Sequence, residues 1–359
     1  MASYPDDARQ VLHKAIADRV FPGAVANVGS SGGVLWHEPF GTLTFGGAVP
    51  VATTTPFDLA SLTKVLVTTT VVMELVRTGR IRLDERAADC FPEWRGPDRE
   101  PVTIQDLLEH ASGLPARLVD APPSSRREFE HEICTIRLEY APREQSIYSD
   151  LGFILLGMLA EARGGRRLNR QFDAVRDALA ATEPDLVTEP LSFELAAENR
   201  RAAAPTLPGP HDSRRGQTLV GEVHDHYAFA LGGIAGHAGL FGTAAGVAAF
   251  ARALLRAARG DLEVPAPLSP PLVRQFLAKS TMPGSSRALG WDTMLPTSSC
   301  GTHMSATAVG HVGFTGTSLW IDPSRDRYFV LLSNRVCGGG TLEAMRVVRR
   351  SFHDALAGF

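Results

Sequence analysis

The sequence predicts an α/β fold in which one discontinuous α/β domain carries an inserted all-α domain. Two observations predict this fold class: strand-forming composition is concentrated near the two ends of the chain, and helical periodicity dominates between them. A length of 359 residues with 44% hydrophobic content is sufficient for one large or two moderate domains with a buried core. We therefore expect residues 1–60 and 286–359 to form the α/β domain and residues 61–285 to form the mainly α-helical domain.

The N-terminal elements are predicted from apolar spacing and turn residues. Asp6–Arg19 has apolar residues at helical spacing and is followed by a Pro-Gly pair that stops a helix. Gly23–Gly29 and Val34–Phe45 have strand composition, and the intervening Ser30–Gly33 favours a hairpin turn. This turn also lies in a Gly-x-Ser-x-Gly match to a nucleophile elbow, but an elbow requires a strand followed by a helix, so the hairpin is the favoured interpretation.

The remaining elements complete the α/β pattern. Ser61–Arg77 is a long apolar helix with a glycine just past its end, and Ala244–Ala258 is a second helix. Strand character returns at Thr317–Ile321 and Tyr328–Ser333, and the chain finishes on an amphipathic helix, Leu342–Ala357.

Composition and charge argue against several classes of protein. A formal net charge of −3, without a nucleic-acid-binding motif, predicts no nucleic-acid partner. The long uncharged stretches are rich in glycine or in serine and threonine, so we expect no membrane span, and the start lacks a secretory signal, which favours a cytoplasmic location. The four cysteines are widely spaced with no Cys-x-x-Cys pair, so we expect reduced thiols and neither a zinc site nor a disulfide scaffold.

Ser61 and Lys64 form the most informative local pair. Residues three apart at the start of a helix share one face, so the Lys64 ammonium can reach the Ser61 hydroxyl. Lys64 is the only charged residue between Leu59 and Met73, and burial favours the neutral, proton-accepting form of a lysine. Of the 36 basic residues only three are lysines, so a lysine here indicates a need for a titratable amine. The alternative is a buried helix with one incidental lysine.

Two further segments give the pair a context. Tyr148-Ser149-Asp150 precedes an apolar helix, and His311-Val312-Gly313 leads into a strand. Together with Ser61-x-x-Lys64, their order and spacing resemble the penicillin-recognising serine hydrolases, which include class C β-lactamases, DD-peptidases and related esterases. The likeness extends from about Gly23 to about Val336, because three more segments also resemble that family: Thr103–Pro115, Gly233–Phe241 and Leu331–Val336.

The resemblance implies a β-lactamase/transpeptidase-like fold, with an antiparallel sheet flanked by helices, and a set of catalytic roles. Ser61 would be the acylated nucleophile, Lys64 the amine that helps to deprotonate it, and Tyr148 a proton shuttle to the leaving group. The backbone N–H groups of Ser61 and Phe314 would form the oxyanion hole. Gly313 would let the substrate lie close to the strand edge.

Departures from the family pattern concern the expected substrate-binding residues Asp150, His311 and Gly313. Asp150 stands where β-lactamases usually have an asparagine, so it could not donate to a substrate amide, and it could instead bind Lys64 and favour the ammonium, shifting base work to Tyr148. His311 replaces the third-motif lysine and Val312 removes a hydroxyl, so the usual clamp for a substrate carboxylate is weakened. High β-lactamase activity is therefore not expected.

Other chemistry-bearing residues have simpler interpretations. His224-Asp225-His226 lacks further ligands at metal spacing, so a polar loop is favoured and no metal is expected. His237 lies among glycines, where a structural role is at least as good an explanation as a place in the pocket. Phe314 and Trp320 could shape an acyl pocket, with core packing the alternative for Trp320.

These observations predict a serine hydrolase that forms an acyl-enzyme on Ser61, needs no cofactor and acts on a small ester, amide or peptide. Carboxylesterase is the favoured activity. An acyltransferase, a transpeptidase or a D-amino-acid peptidase could use the same nucleophile, and a non-catalytic ligand-binding protein is the alternative from another class. The sequence does not define the oligomeric state.

Overall fold

The computed structural model describes residues 5–118, 122–210 and 212–358. The two outer limits of the predicted domains, residues 1 and 359, lie outside this part of the chain. The described helices are α1 Asp6–Ala17, α2 Thr70–Arg77, α3 Ala87–Cys90, α4 Ile104–Leu108, α5 Arg126–Thr135, α6 Asp150–Gly164, α7 Leu168–Leu179, α8 Asp185–Thr188, α9 Ala197–Ala202, α10 His226–Ala230, α11 Ala244–Ala258, α12 Pro270–Leu277 and α13 Leu342–Ala355, with a π-helical segment at Lys64–Thr69 and a 3₁₀ turn at Ala266–Leu268. The strands are β1 Gly23–Ser30, β2 Gly33–Gly41, β3 Phe57–Asp58, β4 Leu191–Ser192, β5 Phe241–Gly242, β6 Asp292–Thr293, β7 Val309–Val312, β8 Ser318–Asp322 and β9 Arg327–Ser333.

A six-stranded antiparallel sheet joins the two ends of the chain. Its strand order is β2-β1-β9-β8-β7-β6, so the N-terminal hairpin pairs through β1 with the C-terminal strand β9. The central register places Ala26 opposite Leu331 and Trp320 opposite Phe329. The antiparallel sheet flanked by helices confirms the predicted fold class, and β1 pairing with β2 confirms the hairpin over the nucleophile elbow.

Alternating side chains of the sheet enter two different hydrophobic clusters. On β1, Ala24, Ala26 and Val28 pack with residues of α1 and α13 on one face, whereas Val25 faces the larger cluster on the other side. This follows from the two-residue period of a strand, which sends neighbouring side chains to opposite faces. Helix α11 covers that second face by contacting β1 and β9.

Helices occupy most of the chain between the sheet segments, and their apolar side chains join the larger cluster. The assignment of residues 61–285 to a separate domain stays a prediction, and α11 from that segment packs directly on the sheet. Among the described residues, no helix combines the length and apolar composition needed to cross a bilayer. A second, three-stranded sheet of order β3-β5-β4 holds the residues that lead to Ser61.

Candidate active site

Ser61 lies on a tight turn between β3 and the π-helical segment. The predicted helix from Ser61 to Arg77 is therefore not uniform. The Lys64 N–H donates to the Ser61 carbonyl oxygen at 3.1 Å, a π-helical segment occupies Lys64–Thr69, and helix α2 continues from Thr70 to Arg77. Ala60, just before Ser61, has a φ of 47°, which is costly for a residue with a Cβ. The buried Asp58 carboxylate supports this turn by accepting the Ala60 N–H at 2.8 Å. The strained Ala60 and its bond to Asp58 thus fix the backbone immediately before Ser61.

The Lys64 side chain is fully buried and makes three hydrogen bonds. Its Nζ donates to Ser61 Oγ at 3.0 Å, to Asp150 Oδ1 at 2.7 Å and to the His237 carbonyl oxygen at 3.0 Å. An ammonium has three N–H donors, so every donor is used. The arrangement fits a charged Lys64.

Electrostatics point in the same direction. Burial lowers the pKa of Lys64, but the charge of the Asp150 carboxylate and the hydrogen bonds that Nζ makes together outweigh it, and the pKa lies above its usual value. Burial raises the pKa of Asp150, and the opposing charges of Lys64 and His237 bring it below its usual value. The expectation from burial alone, a neutral lysine, is therefore wrong for the resting protein. The alternative, an Asp150 carboxylate that favours the ammonium, agrees with the structure.

Tyr148 completes the contacts to the nucleophile. Its hydroxyl lies 2.7 Å from Ser61 Oγ, and the Lys64 Nζ is 4.8 Å from the centre of its ring. Burial raises the pKa of Tyr148, with Lys64 opposing that effect, so the phenol is neutral at rest. The ring packs against His110, with centroids 4.9 Å apart, and His110 Nδ1 accepts the Ser149 N–H at 3.1 Å. His110 therefore holds Tyr148 in two ways, by packing against its ring and by binding the backbone of the next residue, Ser149.

The end of β7 forms the opposite wall. His311 is buried, and its Nδ1 lies 2.9 Å from the Val312 carbonyl oxygen, so Nδ1 carries the proton. Burial, followed by the charges of Lys64 and Arg287, holds the pKa of His311 well below its usual value, so the ring is neutral. A Cβ on Gly313 would lie 2.0 Å from Thr317 Oγ1 and 2.6 Å from the Leu59 carbonyl oxygen. Position 313, immediately after β7, therefore accepts only glycine, because the chain approaches the Ser61 turn so closely there.

A cavity of about 580 Å³ opens above Ser61. It is lined by six of the predicted site residues, namely Ser61, Tyr148, Asp150, His311, Gly313 and Phe314, and Lys64 lies beneath it. The backbone N–H groups of Ser61 and Phe314 have no acceptor among the described residues, which leaves both free for a ligand oxygen. No group of three or more potential metal ligands occurs in the described ranges. Trp320, by contrast, packs in the core beside α1 and α13.

Sequence reasoning missed a charged network behind Asp150. Asp225 caps helix α10 and contacts both His237 Nε2 at 2.8 Å and Arg117 Nη2 at 2.5 Å. Arg117 Nε also lies 3.4 Å from Asp150 Oδ2, so both oxygens of Asp150 face cations. The segment around Asp225 is thus part of the cavity wall and not merely a polar loop. The segment His224-Asp225-His226 was recognisable in the sequence, but the partners of Asp225, namely His237 and Arg117, come from other parts of the chain.

Arg287 is a second residue that the sequence did not single out. Its guanidinium carbon lies 5.6 Å from the Tyr148 ring centre, and the side chain lines the cavity near His311. Asp292 is 3.9 Å away, and Arg287 Nε is buried without a hydrogen-bond partner among the described residues. A cation with an unused donor therefore lies beside His311, the position of the missing third-motif lysine. One arginine in a chain with many gives no sequence signal.

Comparisons with known proteins show the family and the fold of the chain. The family model described as Beta-lactamase matches residues 8–351. An Escherichia coli K12 protein named "Putative D-alanyl-D-alanine carboxypeptidase" is 31% identical, over 85% of this chain and 72% of its own length. The N-acetylmuramyl-L-alanine amidase of Bacillus subtilis strain 168 is 29% identical, over 91% of this chain and 80% of its own length. The crystal structure of a penicillin-binding protein homologue from Caulobacter crescentus superposes with a TM-score of 0.74 at 20% identity, covering 98% of this chain and 97% of the other, which is a likeness of fold.

Proposed function

Since the chain belongs to the β-lactamase family of serine hydrolases, we propose that it hydrolyses a small amide or peptide substrate bearing a carboxylate, through an acyl-enzyme on Ser61. The observation that carries this proposal is the convergence of Lys64 Nζ and the Tyr148 hydroxyl on one oxygen, Ser61 Oγ, at 3.0 Å and 2.7 Å. That oxygen lies at the wall of a cavity large enough for a small ligand.

Acylation begins when Ser61 Oγ attacks the substrate carbonyl carbon. The Ser61 proton passes to the Tyr148 oxygen while the phenolic proton moves to the leaving nitrogen or oxygen, so Tyr148 stays neutral overall. The Lys64 ammonium stabilises the negative charge that develops on Ser61 Oγ and on the Tyr148 oxygen during the proton transfer. Its effect is strong because the Lys64 side chain is buried. The Ser61 and Phe314 N–H groups receive the carbonyl oxygen as it becomes an oxyanion.

Deacylation reverses these roles with water as the nucleophile. When the bond to the leaving group breaks, its amine or alcohol departs and the acyl group stays on Ser61. Water then attacks the ester carbon and gives up a proton through Tyr148, and Ser61 Oγ regains a proton as the free carboxylic acid leaves. An amine acceptor in place of water would give acyl transfer by the same steps.

The charge of the cavity supports a substrate with a carboxylate. Arg287 presents a guanidinium with one buried, unused donor, Nε, next to Tyr148, where the leaving-group side of the substrate would lie. Two relatives are named as a putative D-alanyl-D-alanine carboxypeptidase and as an N-acetylmuramyl-L-alanine amidase. Both names denote cleavage of an amide bond, which favours the same class of bond here.

Carboxylesterase activity is the second candidate, favoured by Asp150. An aspartate has no amide N–H with which to hold a substrate amide, and both oxygens of Asp150 are already occupied by the cations Lys64 and Arg117. A neutral His311 in place of a lysine also suits an uncharged ester.

Replacing Arg287 by alanine separates the two candidates. We expect KM for an N-acyl-D-alanyl-D-alanine substrate to rise about tenfold or more, because a charge-assisted hydrogen bond is lost, while p-nitrophenyl acetate turnover stays within twofold. Steady-state kinetics on both substrates, with the exposed Arg274→Ala variant as control, provide the measurement. Equal changes for both substrates, or turnover of the ester alone by the wild type, would favour the esterase.

A further inference from the structure

Two buried arginines lie directly behind the loop that follows β7. Arg335 and Arg349 are each 5% exposed, and neither has a carboxylate within ion-pair distance in the described part of the chain. Their guanidinium groups donate instead to backbone carbonyl oxygens of the loop. Burying a cation without a counter-ion costs folding free energy, so two such arginines at one loop suggest a functional role.

Arg349, on helix α13, reaches the loop through one nitrogen. Its Nη2 donates to the Gly313 carbonyl oxygen at 2.7 Å and to the Thr317 carbonyl oxygen at 2.8 Å. Arg335 donates to the next carbonyl, that of Phe314, from Nε at 3.1 Å. Burial, and then the charge of Arg335, lowers the pKa of Arg349 to about 9, which still leaves it protonated at neutral pH.

The Gly313 carbonyl and the Phe314 N–H belong to the same peptide group. In a planar trans peptide these two groups point in opposite directions, so a carbonyl held by Arg349 turns the Phe314 N–H away from α13. Gly313 lies against the Ser61 turn, since a Cβ on it would be 3.3 Å from the Ala60 Cβ. Ser61, Gly313 and Phe314 line one cavity, whose wall also includes Arg349. We infer that the Phe314 N–H, which points away from the Arg349 contact, faces a ligand oxygen bound at Ser61.

We propose that Arg349 is a positioning residue for acyl transfer, which fixes and polarises the Gly313–Phe314 peptide so that its N–H becomes a stronger donor to the oxyanion. This inference rests on the proposed function, because it concerns the same reaction. A cation bound to the carbonyl oxygen of an amide withdraws electron density from its nitrogen, and hydrogen bonds linked through one peptide strengthen each other. The effect is largest when the bound oxygen carries a full negative charge, that is, in the tetrahedral intermediate.

The test compares three variants on one helix. Arg349→Met removes the charge and the donors, and Arg349→Gln keeps a neutral donor. Arg350→Met is the matched control, because Arg350 also donates to backbone carbonyl oxygens, those of Pro296 and Ser298, but not to the loop after β7. Circular dichroism checks the fold of each variant.

Three readouts follow the oxyanion. They are kcat and KM for p-nitrophenyl acetate, the inhibition constant of phenylboronic acid, whose serine adduct is tetrahedral, and the infrared carbonyl stretch of a ¹³C-acetyl-enzyme. For Arg349→Met we expect kcat and boronate affinity to fall about 10- to 50-fold, less than the loss of a whole oxyanion donor, with KM within threefold and the carbonyl stretch at higher frequency. Arg349→Gln should lie between Arg349→Met and the wild type, and Arg350→Met should match the wild type.

A folded Arg349 variant with wild-type boronate affinity and carbonyl frequency would overturn the proposal, even if its kcat fell. If Arg349→Met does not fold, Arg349→Gln decides by the same two readouts. A wild-type protein that forms neither an acetyl-enzyme nor a boronate adduct would overturn the proposed function itself, and this inference with it. A wild type that forms both, beside unchanged variants, would overturn only the role of Arg349.

Discussion

The Ser61→Ala variant is expected to lose at least about 10⁴-fold in kcat/KM on any ester or amide that the wild type hydrolyses, because no nucleophile remains. Its fold should be unaffected. Lys64 keeps Asp150 and the His237 carbonyl oxygen as hydrogen-bond partners, so removing the Ser61 hydroxyl leaves no buried charge unpaired. Steady-state kinetics and thermal unfolding of the same preparations measure the two effects.

Ser31→Ala is the matched control, because Ser31 occupies the central position of the alternative Gly-x-Ser-x-Gly match. Its hydroxyl donates to Asp326 Oδ2 at 3.0 Å at the hairpin turn, and neither residue lines the cavity. We expect wild-type turnover from this variant. Residual activity of Ser61→Ala close to the wild type, with loss in Ser31→Ala, would reverse the assignment, and an inactive wild type would favour the non-catalytic ligand-binding alternative.

Lys64→Met is expected to reduce kcat/KM by about 10³-fold or more and also to lower the free energy of unfolding by about 3–5 kcal/mol. The catalytic loss follows from removing the cation that faces both Ser61 Oγ and the Tyr148 ring. The stability loss follows because Asp150 loses its nearest cation and keeps Arg117 Nε at the longer distance of 3.4 Å. Stopped-flow acylation by a p-nitrophenyl ester and urea unfolding measure the two effects separately.

The double variant Lys64→Met/Asp150→Asn separates chemistry from structure. Neutralising Asp150 removes the unpaired buried charge, so we expect much of the lost stability to return. Acylation should stay as slow as in Lys64→Met, because the cation is still missing. A double variant that regains fast acylation would show that Lys64 serves only to balance Asp150.

The sequence predicts well those parts of the fold that depend on local patterns, such as helical spacing and turn residues. Helix α11 has the predicted bounds, Ala244–Ala258, and the β1–β2 hairpin follows from its turn residues and strand composition. The π-helical segment at Lys64–Thr69 was not predicted, because its apolar residues have the same composition as a regular buried helix. The pairing of β1 with β9 joins segments about 300 residues apart. Strand composition at the two chain ends predicted one shared α/β domain, but it did not show which strands pair.

The candidate site divides in the same way. Ser61 and Lys64 are three residues apart, so helix geometry alone predicts their contact. The protonation of Lys64 depends on Asp150, which lies 86 residues further along the chain, and burial without that partner gives the wrong direction. Arg117 and Arg287 reach the cavity from distant loops, and no spacing rule marks them among many arginines.

The most direct measurement of the central claim is the location of the acyl group after brief exposure of the wild-type protein to a p-nitrophenyl ester or a penicillin. Trypsin releases residues 20–64 as one peptide, in which Ser30, Ser31 and Ser61 are the serines, so fragment-ion mass spectrometry can distinguish them. The account predicts a single acyl group on Ser61 and no adduct in the Ser61→Ala variant. An acyl group on Ser30 or Ser31, or equal labelling of the wild type and Ser61→Ala, would contradict it.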